Sequence, residues 1–299
     1  MQKNEKNKQK SQEKFVSRRN RVDIFVLTLY NRGAMARYIC KENYKTDFCD
    51  ADFKDELKVS ALLSRFESVA SKSADELGFG YEYLKAHGYA FFLAEIRCEL
   101  FRAVPLYETL TVCTWPTPPS YVVFGREFEG YGENGEKVLA ATSRWCAVDF
   151  ATGKLLTPKA FPEQDYKNAE IYSADLSGAP QEKTAKISRE EGEKKFEIRI
   201  ANSEYDHNMH VNNTRYADYC LNCFSVAELT QKSVRSFSIA YLKQCKESEI
   251  LGFYRKDEAE RSIVCGFNER GENVVRAEFS FAPRGFCIAA SDKKSGAKQ

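Results

Sequence analysis

Histidine, tryptophan and methionine are scarce in this chain, at three, two and three of 299 residues, and no apolar run approaches the length that crosses a bilayer. The longest apolar stretch near the start, Val22 to Tyr30, is broken by Asp23 and falls far short of the roughly 20 residues a transmembrane helix requires. No membrane span is expected. A secretory signal is lacking as well: residues 1–22 contain neither a continuous apolar core nor a small-residue cleavage site. Their Lys, Asn and Gln content also departs from the Arg- and Ser-rich make-up of organellar transit peptides. A cytoplasmic protein is expected. Disulfide spacing is missing too. The ten cysteines are scattered through apolar, strand-like segments, as reduced core residues would be. Cys220-Leu-Asn-Cys223 is the one CxxC pair, and without a second pair it does not point to zinc.

What is present is ample apolar content, 43% hydrophobic and 13% aromatic, in a length that allows about two ordinary domains. The net charge of +2 conceals an asymmetry, because residues 1–22 carry +6 and the remainder −4. A Lys/Asn/Gln-rich leader over residues 1–35 cannot bury enough surface to fold, so it is expected to be disordered. Ordered sequence begins near Met35, which makes residues 1–34 a candidate upstream extension.

The chain repeats itself. Asp52-Phe-Lys-Asp-Glu-Leu57 aligns with Asp206-His-Asn-Met-His-Val211 at an offset of 154, and each is followed by a helical apolar pattern. The first runs through Val59, Leu62, Leu63, Phe66, Val69, Ala70 and Leu77 to a stop at Gly78. The second runs through Tyr216, Tyr219, Cys220, Cys223, Phe224 and Ala227, with Asn212 or Asn213 as N-cap. Further on, Tyr107–Leu110 matches Ser248–Leu251, and Gly135–Ala141 matches Gly271–Ala277, in the same order. After the first helix, 90–101, 108–114, 121–131 and 138–149 have strand chemistry, and hairpin turns are marked by Glu133-Asn-Gly135 and Glu269-Arg-Gly271. The spacing predicts a duplicated α+β unit, one helix packed on an antiparallel meander, over 36–162 and 191–284. Residues 163–190 read as a polar linker and 285–299 as a tail.

Two of the three histidines fall in one stretch, Glu204-Tyr-Asp-His-Asn-Met-His-Val-Asn-Asn-Thr-Arg-Tyr216. Crowded Asn and Asp at a strand-to-helix junction form either an ordinary turn and cap or a site where carboxylate, amide and imidazole meet the free N–H groups of a helix start. His207 is expected to point away from such a site, and His87, beside Gly88, to lie in a loop. A metal is not expected, because no second ligand cluster accompanies Asp206, His207 and His210.

Asp206-x-Asn208-x-His210-Val-Asn-Asn213-x-x-Tyr216, together with Thr114-Trp-Pro116 and Ser143-Arg-Trp145-x-x-x-Asp149, resembles the acyl-acyl-carrier-protein thioesterases over roughly residues 36–284. The resemblance implies a tandem hotdog fold, each unit a long central helix wrapped by an antiparallel sheet. It implies hydrolysis of the thioester between a fatty acyl chain and the carrier protein's phosphopantetheine arm, with no cofactor, no metal and no nucleic-acid partner. The second unit is implied to carry the catalytic residues Asp206, Asn208, His210 and Cys245. Gln244 stands where members often have glutamate.

The first unit's counterparts of Asn208, His210 and Cys245 are Lys54, Glu56 and Val104, so chemistry belongs to one half only. The first unit is free to enclose the acyl chain, and Leu62, Phe66 and Val69 are candidates to line it. His210 suits a base, and helix-start amides after Asn212 suit a carbonyl. Asp206 either orients His210 or itself activates water, while Cys245 is either a nucleophile or a core residue. Hydrolysis of acyl-coenzyme A and non-catalytic acyl binding are the competing functions. A monomer or a homodimer would satisfy the fold.

Overall fold

The computed structural model describes residues 38–288 apart from 163, 169 and 173–182. The expected leader lies outside the described residues, as do part of the expected linker and the end of the tail. β1 (Cys40–Lys45) leads by a loop into α1 (Val59–Glu76). This 18-residue helix contains neither Gly nor Pro, and it buries Val59, Leu62, Leu63, Phe66, Val69, Ala70 and Ser73 along one side. It ends where Gly78 takes up φ +84°, a conformation that glycine alone adopts without strain.

A second helix follows, α2 (Tyr81–His87), then β2 (Tyr89–Leu100), β3 (Thr109–Pro116), β4 (Val123–Tyr131), β5 (Lys137–Asp149) and the short β6 (Lys154–Leu155). His87 closes α2 instead of sitting in a loop. Gly88 supplies the left-handed cap beyond it, and His87 Nδ1 lies 2.8 Å from the Tyr83 carbonyl.

The second unit comprises β7 (Glu193–Arg199), α3 (Asn213–Leu221), α4 (Val226–Leu229), β8 (Lys232–Tyr241), β9 (Ile250–Asp257), β10 (Ser262–Asn268) and β11 (Asn273–Pro283). Its central helix is shorter than the apolar spacing predicts. α3 stops at Leu221, and a new turn starts behind Ser225, which accepts the Glu228 amide at 3.2 Å while Glu228 accepts the Ser225 amide at 2.7 Å. This capping box overrides the continuing periodicity and leaves Ala227 exposed.

Every pairing in the sheet is antiparallel, in the order β1-β3-β4-β5-β2-β8-β11-β10-β9-β7, with β6 on β5. Read outward from the centre, each half runs through corresponding strands. The two meet where β2 pairs with β8, from Glu95 opposite Ala240 to Glu99 opposite Ser236, so a local twofold axis relates the units. α1 packs on α3 across that axis, and one apolar core lies between the helices and the sheet. Each fully buried Leu or Phe there contributes about 1.5–3 kcal/mol. This is the tandem hotdog layout expected above.

The repeat holds down to individual hydrogen bonds. The bridge Ala51–Leu57 has its twin in Tyr205–Val211, and α1 and α3 begin at matching positions, 59 and 213. Tyr107 and Ser248 share a left-handed φ of +69° and +68°, and each donates its amide back across the loop, to Thr46 and Ile200. Gly135 and Gly271 turn their hairpins with φ +78° and +77°.

Candidate active site

The loop before α3 is built around one carboxylate. Asp206 Oδ1 accepts the backbone amides of Asn208 at 2.8 Å and His210 at 3.2 Å, while the Asp206 amide donates to the His210 carbonyl at 2.8 Å. Those bonds are short-range consequences of the Asp-x-Asn-x-His spacing, an Asx turn closed on itself. Asn212 then caps α3, its Oδ1 accepting the Thr214 amide at 2.9 Å and its carbonyl the Arg215 amide at 3.0 Å. Both amides are thus already engaged within the helix start.

Asp206, Asn208 and His210 line one wall of a cavity of about 920 Å³, and Gln244 lines it from the loop after β8. The first unit supplies the apolar walls, including Phe91, Phe92 and Leu93 of β2, Phe124 of β4 and Trp145 of β5. The ring of Phe92 stacks on the His210 imidazole, centroids 4.7 Å apart and planes inclined by 27°. Burial holds His210 below its ordinary imidazole value, against the opposing pull of the Asp206 charge, so the ring is neutral at pH 7. His207 does not turn away. It lines the cavity too, exposed and edge-on to Tyr81 at 5.8 Å.

Two groups of candidates lie away from the cavity lining. Cys245 lies outside the cavity lining, 2% exposed, with its Sγ receiving the Tyr216 hydroxyl at 3.2 Å. Burial pushes its thiol up to about 11, so it is not a thiolate at neutral pH. Leu62, Phe66 and Val69 are 2%, 1% and 0% exposed and belong to the core, with Phe66 against Phe128 at 4.5 Å. They do not line the cavity. The neighbouring face of α1 does, through Glu67, Ala70, Ser71 and Ala74. α1 therefore turns one face to the sheet and another to the cavity. The second is marked in sequence by small residues three and four apart following Glu67.

The sequence reading missed two polar groups. Arg126 is a buried guanidinium at the cavity wall that bonds Ser73 Oγ at 2.8 Å and Thr114 Oγ1 at 3.3 Å, and burial lowers it to about 10. Glu67 is the other: it lines the cavity from α1, with the Asn213 side chain beside its carboxyl. Among the described residues, no group of three or more His, Cys, Asp or Glu converges as metal ligands would. No helix among them is long and apolar enough to cross a membrane.

In the first unit the same loop holds a different device. Lys54 Nζ sits between Asp52 at 3.2 Å and Glu56 at 3.1 Å and donates to the Lys232 carbonyl at 3.0 Å. The amine replaces Asn208's amide and closes that loop as a buried ion cluster.

Solved structures share this architecture. An acyl-ACP thioesterase from Bacteroides thetaiotaomicron superposes with a TM-score of 0.72 at 24% identity, covering 82% of this chain and 98% of its own. A 12:0-ACP thioesterase from Umbellularia californica gives 0.71 at 15% identity, with coverage of 82% and 98%. These likenesses define a tandem hotdog protein. No curated protein matches the chain by sequence. Family models for the acyl-ACP thioesterase N-terminal domain, over residues 37–158, and C-terminal domain, over residues 185–283, together match about three quarters of the chain, which belongs to the acyl-ACP thioesterase family. Its reaction is hydrolysis of the thioester that joins a fatty acyl chain to acyl carrier protein.

Proposed function

We propose that hydrolysis proceeds by direct attack of water, with His210 taking the water's proton and the Asn208 side-chain amide donating to the developing oxyanion. The observation that carries this reading is the single Asp206 oxygen that bonds both the Asn208 and His210 amides, which sets donor and base at a fixed spacing on one cavity wall. Asp206 is a positioning residue in this scheme. Its Oδ1 is spent on the loop, and its charge partly offsets the burial of His210. Gln244, exposed at the cavity edge, orients substrate by hydrogen bonds, since an amide carries no transferable proton.

The acyl chain lies in the cavity between the units, and its release as free fatty acid ends chain elongation in fatty acid synthesis. Carrier proteins are acidic, and the exposed Lys85 and Lys243 on the cavity lining give a rim suited to that partner. Core cysteines such as Cys98, Cys220 and Cys265, which form no disulfide, fit a cytoplasmic setting. The test is thiol release from acyl-carrier-protein and acyl-coenzyme A substrates of graded length. Loss of turnover by two orders of magnitude or more in His210→Ala, with substrate binding retained, is expected. Unchanged turnover in that variant would remove His210 from the chemistry, and a preference for the coenzyme A thioester would remove the carrier protein from the reading.

A further inference from the structure

Glu67 is out of keeping with its surroundings. It projects from α1, the helix of the unit whose own loop is closed by Lys54, into the cavity that Asp206, Asn208 and His210 line from the other unit. The Asn213 side chain, three residues beyond His210, lies beside its carboxyl on the same cavity. The Oδ1 of Asn213 and the hydroxyl of Tyr241 are buried without a hydrogen-bond partner among the described residues, and both residues line the same cavity.

We infer that Glu67, carried into the site by the first hotdog's helix, is the acid partner of His210 and protonates the leaving sulfur. The inference rests on the hydrolytic reading above and adds a residue from the other unit to it. Water attacks the carbonyl carbon and loses a proton to His210, and the new C–O bond leaves a tetrahedral oxyanion at Asn208. Collapse breaks the C–S bond, the electron pair goes to sulfur, and the Glu67 proton follows to give the free phosphopantetheine thiol. The products are a carboxylic acid and a thiol from one water, and transfer of the His210 proton to the Glu67 carboxylate through solvent resets the site.

The electrostatics of the cavity agree. Burial, helped by the Asp206 charge and opposed by the Asn213 bond, raises Glu67 to about 7, while burial lowers His210. An acid held up and a base held down is the arrangement in which both are in their working form at neutral pH. The groups that act on Glu67 are Asn213 and Asp206 from the loop and helix start and Tyr241 from β8, and His210 and Tyr216 line the same cavity. His207, Lys85, Arg126 and Lys243 complete the charged or titratable non-tyrosine groups of the lining.

The experiment compares the native protein with Glu67→Gln and Glu67→Asp on two acyl thioesters of equal chain length. One has the carrier protein's pantetheine thiol as leaving group, the other an acidic aryl thiol that departs without a proton. Glu67→Gln, isosteric with the native side chain, is expected to lose about 100-fold in kcat on the pantetheine thioester and less than threefold on the aryl thioester. It should also lose the alkaline limb of the pH profile near pH 7, and Glu67→Asp should restore part of kcat together with that limb. Binding of a non-hydrolysable thioether analogue should be unchanged. Equal losses on both thioesters, or no loss on either, would overturn the assignment. Failure of the native protein to turn over either substrate would instead overturn the hydrolytic reading beneath it.

Discussion

Asp55 and Met209 hold the same left-handed backbone, φ +60° in each, at equivalent points of the two repeated loops. Both donate their amides to the aspartate three residues earlier, Asp52 or Asp206, at 3.0 and 3.1 Å. Neither is glycine, so each loop accepts local strain to preserve one shape. The two loops are therefore one scaffold carrying different side chains, and the division of labour between the units lies in Lys54 and Glu56 against Asn208 and His210.

That scaffold makes Asp206 separable into shape and charge. Asp206→Asn keeps an oxygen for the loop amides but removes the charge that raises both His210 and Glu67. Both limbs of its pH–rate profile should move to lower pH. Asp206→Ala should in addition lose about 1–2 kcal/mol of stability, from two amides left without their acceptor. Parallel pH profiles and urea denaturation check the pair.

The counterpart in the first unit should behave as structure alone. Lys54, with 5% of its side chain exposed, compensates two part-buried carboxylates, and Lys54→Ala leaves Asp52 and Glu56 without it. A loss of about 1–3 kcal/mol is expected in thermal or chemical denaturation.

Cys245→Ala should retain turnover, because a buried thiol held at about 11 offers no nucleophile to a cavity it does not line. Its cost is structural, about 1–2 kcal/mol for the Tyr216 hydroxyl deprived of its acceptor. Thiol-release kinetics beside a melting curve will check both parts, and accumulation of an acyl-enzyme in the native protein would contradict the first.

Chain-length selection should follow the cavity face of α1 and not its core face. Ala74→Leu fills acyl space and should shift preference toward shorter chains. Leu62→Ala should leave the preference in place while costing about 2–5 kcal/mol of stability. A substrate panel on both variants separates the faces.

Glu67 should also tie stability to pH. The folded protein keeps its proton up to about 7, against an ordinary value of 4.5, so the cost of its burial appears as pH rises through that window and is complete above it. Glu67→Gln carries no such charge and should exceed the native protein in stability at pH 8 by up to about 3 kcal/mol, converging with it near pH 4.5. Denaturation at the two pH values measures the difference.

The sequence by itself determined the features whose bonds close over a few residues. The repeated Asp-x-x-x-x-apolar loop, the Asn212 cap, the stop at Gly78 and the turns at Gly135 and Gly271 depend on local backbone and short side chains, so they were legible before any fold was known. Placement of Asp206, Asn208 and His210 in one loop followed from the same economy. Only the tertiary structure decided which face of α1 meets the cavity, because helical spacing marks Phe66 and Ala70 alike as apolar and says nothing of what each will face. It also sent Cys245 into the core behind Gln244 and drew Glu67 to Asn213 across 146 positions of sequence. That last approach exists because β2 pairs with β8 and brings the two helices together, a long-range register that no local pattern encodes.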